Sequence, residues 1–144
     1  LVIIQDQSLD VYGDVNKTRK NMVEEITGHL MKCLNQIRLL HWQTTGDARH
    51  RALGELYEAL DGQLDTFIET LIGKTQRPKF TSGLNLEIQD LSVVGIDDYL
   101  VQLGDYLISL TDVLDPRRDS DLLNMRDTML GDVNHTRYLL TLKF

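Results

Sequence analysis

The feature that most constrains this chain is a set of four apolar stripes, each stepping by three and four residues, with one wide gap in the middle. From Met22 onward the first stripe runs Val23, Ile26, Leu30, Cys33, Ile37 and Leu40, and the second runs Leu53, Leu56, Leu60, Leu64, Phe67 and Leu71. The third is Ile96, Leu100, Leu103, Leu107, Leu110 and Leu114, and the fourth Leu122, Met125, Met129, Val133, Thr136 and Leu140. This spacing gives each helix one apolar side that must be buried. The stripes have only one another to pack against, so the chain is expected to be all-α, a four-helix bundle. A length of 144 residues suits one domain, 1–144, with 1–17 as an N-terminal tail.

The intervals between stripes set the connectivity. The first helix ends near Gly46 and the second begins a few residues later, a link short enough to force an antiparallel hairpin. Gly73 is a natural stop for the second helix. After Asp115-Pro116 the fourth helix starts, with Asp119 or Ser120 as its N-cap. Between the hairpins, residues 73–95 carry Pro78, the turn signal Thr81-Ser82-Gly83 and apolar residues from Leu84 to Leu91. That crossover is long enough to run the length of a bundle, and its apolar patch predicts a short helix near Leu86 to Leu91. Two hairpins joined by one long crossover is the ferritin-like arrangement.

Charge narrows the function. With 22 acidic against 15 basic residues the formal net charge is −7, a field that repels phosphate. DNA binding is not expected; Lys17, Arg19 and Lys20, with Arg117-Arg118, are the only basic clusters. No apolar run reaches the roughly 18–20 residues that span a bilayer, so no membrane association is expected. The single Cys33 lies on the first stripe, where a thiol acts as a small hydrophobe, and this fits a reducing, cytoplasmic compartment.

The polar residues of the second helix are not scattered. Asp47, His50, Glu58, Asp61, Asp65 and Glu69 cluster on a flank about 120° from its apolar stripe. Asp65 and Glu69 are four apart and can share one cation. His50 precedes Asp65 by 15 residues, about 22 Å along a helix, too far for one ion to bridge within a chain. If two such helices packed antiparallel about a twofold axis, the His end of one would meet the carboxylate end of the other, forming two identical mixed sites. His41 is brought near His50 by the short loop. Imidazole with carboxylate suits Fe(II), Zn(II) or Mn(II).

These residues resemble the Dps-like mini-ferritins. His41-Trp42 with Gly46 is similar to the family's His-Trp pair closing the first helix. His50 and Asp65-Thr66-Phe67-Ile68-Glu69 are similar to its second His and its Asp-x-x-x-Glu, at the family's spacing, and His135-Thr136-Arg137-Tyr138-Leu139-Leu140 looks like its closing stretch. The resemblance covers roughly 22–73 and 120–144. It implies a hollow dodecamer that binds Fe(II) at twofold interfaces, oxidises it with hydrogen peroxide or oxygen, stores the ferric product and so protects against oxidative damage. His41 and His50 of one subunit would act with Asp65 and Glu69 of its neighbour. Two departures stand out: Gly54 occupies the position of an acidic ligand one turn after the second His, and the loop between the histidines is short. Asp47 and Glu58 lie near the same flank as substitute donors.

Other residues read more plainly. Glu58 and Asp61 suit a surface or interface, and Asp132 with His135 has the spacing of a di-iron half-motif but no partner on the second helix. His29 reads as polar surface, Cys33 as core, and Tyr57, Tyr99, Tyr106 and Tyr138 as packing residues. Two functions remain open: a ferroxidase, or a structural oligomer that keeps the fold without the chemistry.

Overall fold

The computed structural model describes residues 15–142, with side chains from residue 21 onward. The side chains of Lys17, Arg19 and Lys20 and the expected tail up to residue 14 lie outside the described residues. The described chain is all-helical. It comprises α1 (Val15–Gln43), α2 (Asp47–Lys74), the one-turn α3 (Leu91–Val94), α4 (Ile96–Ser109) and α5 (Ser120–Leu139). A 3₁₀ turn, Leu110–Asp112, extends α4 so that Leu110 and Leu114 of the third stripe still reach the core. Helix α1 starts two residues ahead of the tail boundary expected at 17.

The four stripes meet in one core. Ile26, Ile37, Leu40, Leu53, Phe67, Leu71, Leu100, Leu110, Leu122 and Val133 are fully buried, each contributing about 1.5–3 kcal/mol. The fourth stripe differs by one position from expectation: Arg126, not Met125, is the buried residue between Leu122 and Met129. Its guanidinium Nη1 donates to the Leu107 carbonyl at 2.8 Å and to Thr111 Oγ1 at 2.9 Å, and its Nε pairs with Asp127 at 2.8 Å. An arginine is tolerated there because its guanidinium donors find acceptors: the Leu107 carbonyl, which also accepts the Leu110 N–H as α4 tightens into its 3₁₀ turn, the Thr111 hydroxyl and the Asp127 carboxylate.

The crossover climbs α1 from bottom to top. Lys79 N–H donates to Glu24, Leu84 packs on Gly28, Gln36 and Gln89 bond twice, and Gln43 holds both Asp90 and the Leu91 N–H. Residues 84–90 are an extended strap, and the short helix falls at Leu91–Val94, later than the expected Leu86 to Leu91. Two local features fix it there. Asp90 caps it by accepting from Ser92 N–H at 3.0 Å, whereas the backbone of Gln89 is held to α1 through Gln36. Gly95, at φ +71°, then redirects the chain into α4.

Having reached the top of α1, the chain must send α4 back down, antiparallel to α1 and parallel to α2. Helix α5 returns upward beside both. Its Arg137 pairs with Asp97 at the start of α4, Gln63 of α2 donates to Asp132, and Lys74 meets Asp119 and Asp121 at the bottom. Asp119 does stand at the N-cap position, but its carboxylate accepts from Asp115 N–H rather than from its own helix. In cross-section the order around the bundle is α1, α2, α5, α4, with α2 packed on α5. No helix among the described residues is long and apolar enough to cross a membrane.

Candidate functional site

The link 44–46 is three residues long, and it folds the end of α1 tightly over the start of α2. Thr44 N–H closes the last turn of α1 on Leu40, and Gly46, in extended backbone, is the N-cap of α2, with its carbonyl accepting from His50 N–H. The result is a reciprocal clasp. His41 Nδ1–H donates to the His50 carbonyl at 2.6 Å, and His50 Nδ1–H donates to the His41 carbonyl at 2.9 Å. The two imidazoles stack with centroids 3.8 Å apart and planes 17° from parallel.

A carbonyl can only accept, so each Nδ1 carries a proton, and in the neutral tautomer that this selects the lone pair is on Nε2. Such a lone pair lies in the plane of its ring. Two planes held one above the other offer ligands to two neighbouring ions more readily than to a single ion between them.

Gly54 makes this arrangement possible. A β-carbon there would stand 2.8 Å from Cε1 and 3.3 Å from Nδ1 of His41. The residue that the resemblance reads as a missing acidic ligand is thus the floor on which the His41 ring rests.

Beside the clasp, Trp42 is 63% exposed. The Arg38 guanidinium lies 5.4 Å from its ring centroid and 4.0 Å from that of Tyr57, in cation–π contact with both. Asp47 pairs with Arg51 at 3.0 Å on the open surface, so its carboxylate is already engaged, though weakly. Glu58, Asp61, Asp65 and Glu69 are exposed along α2, and none forms an ion pair among the described residues. The structure therefore brings His41 and His50 together and leaves Asp65 and Glu69 four turns away. Among the described residues no three of His, Cys, Asp or Glu converge closely enough to hold a metal ion. Asp132, of the His135 half-motif, is engaged by Gln63 at 2.7 Å.

Sequence reasoning missed a second cluster. His29 is not simple polar surface: its ring is partly buried and stacks on Tyr106 at 3.7 Å. Burial, and then the charge of Lys32, lowers its pKa to about 4. Nearby, burial pushes the Cys33 thiol up to about 11, and Tyr99 and Tyr106 line the same seam. The signal was present in the spacing: His29, Cys33 and Gln36 are four and three apart, and Tyr99 and Tyr106 seven apart, so each set shares a helix face.

Fold and clasp together define an all-helical bundle with an imidazole pair at one end and an open acidic flank. Residues 41–140 match the model for a family of unknown function (DUF5856), and the chain belongs to that family. Comparison with curated proteins and with solved structures finds no match.

Proposed function

We propose that this protein is a ferritin-like, Dps-like mini-ferritin that oxidises and stores iron at sites shared between subunits. The observation that carries the reading is the clasp, which fixes both Nδ1 protons and holds two Nε2 atoms, His41's at the end of α1 and His50's at the start of α2, with the unpaired Asp65 and Glu69 further along α2. Placing α2 against α5 and α4 diagonal to α2 supports the ferritin-like part, because a plain up-down bundle puts its second and third helices side by side. The exposed Trp42 supports a partner surface over the clasp.

Two copies of α2 packed antiparallel bring His41 and His50 of one chain to Asp65 and Glu69 of the other, and repetition of such contacts closes a shell, a dodecamer by resemblance. The donor set fits the ion: two carboxylates balance the charge of one Fe(II), and imidazole favours it over Mg²⁺ or Ca²⁺. Zinc or manganese would compete for the same donors. Two Fe(II) ions each give one electron to a peroxide, whose O–O bond breaks and which leaves as two waters after taking up two protons. The ferric product then hydrolyses to mineral. Iron here is substrate and cargo, and DNA is not a partner.

A second reading, an oligomer that keeps the fold without the oxidation, is favoured by Gly54 and by the near-parallel rings, which do not converge on one ion. Anaerobic Fe(II) titration of the purified oligomer followed by a peroxide pulse separates the two. Saturable binding and rapid oxidation, both lost in His50→Ala/Asp65→Ala, are expected. Traces indistinguishable between wild type and variant leave the structural role.

A further inference from the structure

The outward face of the α1–α2 hairpin carries a cluster beside the clasp that the iron chemistry does not use. On α1, Met31 and Trp42 are 39% and 63% exposed, and the partly exposed Arg38 on the same face is in contact with the rings of Trp42 and Tyr57. An exposed tryptophan beside a tyrosine and an arginine is the composition on which binding energy concentrates at protein interfaces.

Charge decides what can cover this face. Arg38 makes no ion pair among the described residues. Lys32, the next cation back along α1, lines the seam on the α4 side instead. Glu58, Asp61, Asp65 and Glu69 run along α2 beside Arg38, exposed and also without ion pairs among the described residues. The face is thus an acidic row with a guanidinium set into it. A basic partner would satisfy the row and leave Arg38 opposed, whereas a second copy of the chain offers both a cation and carboxylates.

The hairpin fixes where Arg38 falls in such a pairing. His41 rests on Gly54, and Arg38 rests on Tyr57, one turn further down. With α2 antiparallel to its copy and His50 opposite the partner's Asp65, the twofold axis passes midway, beside Tyr57 and Glu58. Arg38 of each copy then stands close to the axis, and so do Glu58 and, one turn or about 5 Å along, Asp61. Those acidic side chains from both copies come within about one Debye length, roughly 10 Å at moderate ionic strength, and repel. We propose, on the basis of that pairing, that Arg38 is the counter-ion that lets two acidic faces close without metal, held by the Trp42 and Tyr57 rings and paired with Glu58 and Asp61 across the axis. Metal binding at the His and carboxylate ends is then a separate event.

Sedimentation velocity of the full chain, in chelator at low ionic strength, tests this. Wild type should self-associate without metal, and Arg38→Met should weaken association by about tenfold or more, because the carboxylates then face one another with no cation between them. Two readouts separate charge from packing: added salt should narrow that gap, and Glu58→Gln/Asp61→Asn in the Arg38→Met chain should restore association. An arginine that served only to pack would show neither. If Arg38→Met does not fold, the exchange Arg38→Glu/Glu58→Arg, which keeps both charges, should associate as wild type does while Arg38→Glu alone should not. A wild type that associates only on addition of Fe(II) or Zn(II) overturns the proposal and leaves the shared iron site standing; one that stays monomeric with metal overturns both. Arg38→Met that associates as wild type does also overturns it. Metal-free association that depends on Arg38, in a protein that does not oxidise iron, upholds the counter-ion and removes the ferroxidase reading instead.

Discussion

Replacing Gly54 with alanine sets two well-separated effects against each other. In the interior of a helix, Gly to Ala gains about 1 kcal/mol from backbone entropy and propensity. At Gly54 the added β-carbon would stand 2.8 Å from His41 Cε1, closer than carbon atoms approach, so the ring must swing away. Swinging is sterically easy for a side-chain end. It breaks the His41 hydrogen bond to the His50 carbonyl, about 0.5–1.5 kcal/mol, and the ring stack, about 0.5–1.5 kcal/mol. The net for Gly54→Ala is thus between no change and a loss of about 2 kcal/mol. Gly62, on the same helix with nothing within 4 Å of its would-be β-carbon, is the internal control and should gain the full ~1 kcal/mol as alanine. Urea denaturation of the two variants should separate them by about 2 kcal/mol, or some 4–8 °C in thermal midpoint. Equal stabilisation at both positions would refute the argument that Gly54 exists to seat His41.

Two further predictions concern groups that the stripes do not reveal. Arg126→Met removes the guanidinium from the Leu107 carbonyl and Thr111 and should cost about 1–2 kcal/mol, since two hydrogen bonds are lost while the carbonyl keeps only the Leu110 N–H; a change in denaturation midpoint equivalent to less than about 0.5 kcal/mol contradicts that role. His29 has a folded pKa of about 4, below its ordinary 6.5, through burial and then Lys32. Above pH 6.5 it is neutral in both states and its contribution is complete; on acidification the unfolded chain takes up a proton that the folded chain refuses, so stability is lost between about pH 6.5 and 4. Because the ring is partly open to solvent, the loss is discounted to about 1–2 kcal/mol. Stability curves for wild type and His29→Gln that run parallel across this window would show that the imidazole carries none of it.

Periodicity located the helices because burial of a stripe is a property of the sequence itself. It also located the hairpins, because a three-residue link leaves two helices no other arrangement. It misplaced the short helix by several residues. The apolar run from Leu84 to Leu91 looks the same whether it coils or lies flat, and what decides is the Gln36–Gln89 pair, a contact across 53 positions. Arg126 was missed for a related reason: its partner is a carbonyl at the end of another helix, and carbonyls leave no mark in a sequence. At the candidate site the short loop announced that His41 and His50 would be neighbours, but not that they would stack. Gly54 was read as an absence of ligand because a glycine's function, the space it leaves, belongs to the residue that fills it.

The long crossover decides which helices are neighbours. Because it climbs α1, α4 must descend parallel to α2 and takes the diagonal position, so α2 packs against α1 and α5. Its Asp61, Asp65 and Glu69 flank faces solvent. On the opposite side, the strap lies over α1 and is tied to it at Gln36, one turn above Cys33. That tie holds the strap at the upper edge of the α1–α4 seam, with His29, Tyr99 and Tyr106 around the space beneath. A shorter connection would turn α4 over, place it beside α2 in the position α5 now holds, and dissolve the α1–α4 seam. The length of one segment therefore decides whether α4 lies beside α1 or beside α2, and with it whether the space lined by His29, Tyr99 and Tyr106 exists at all.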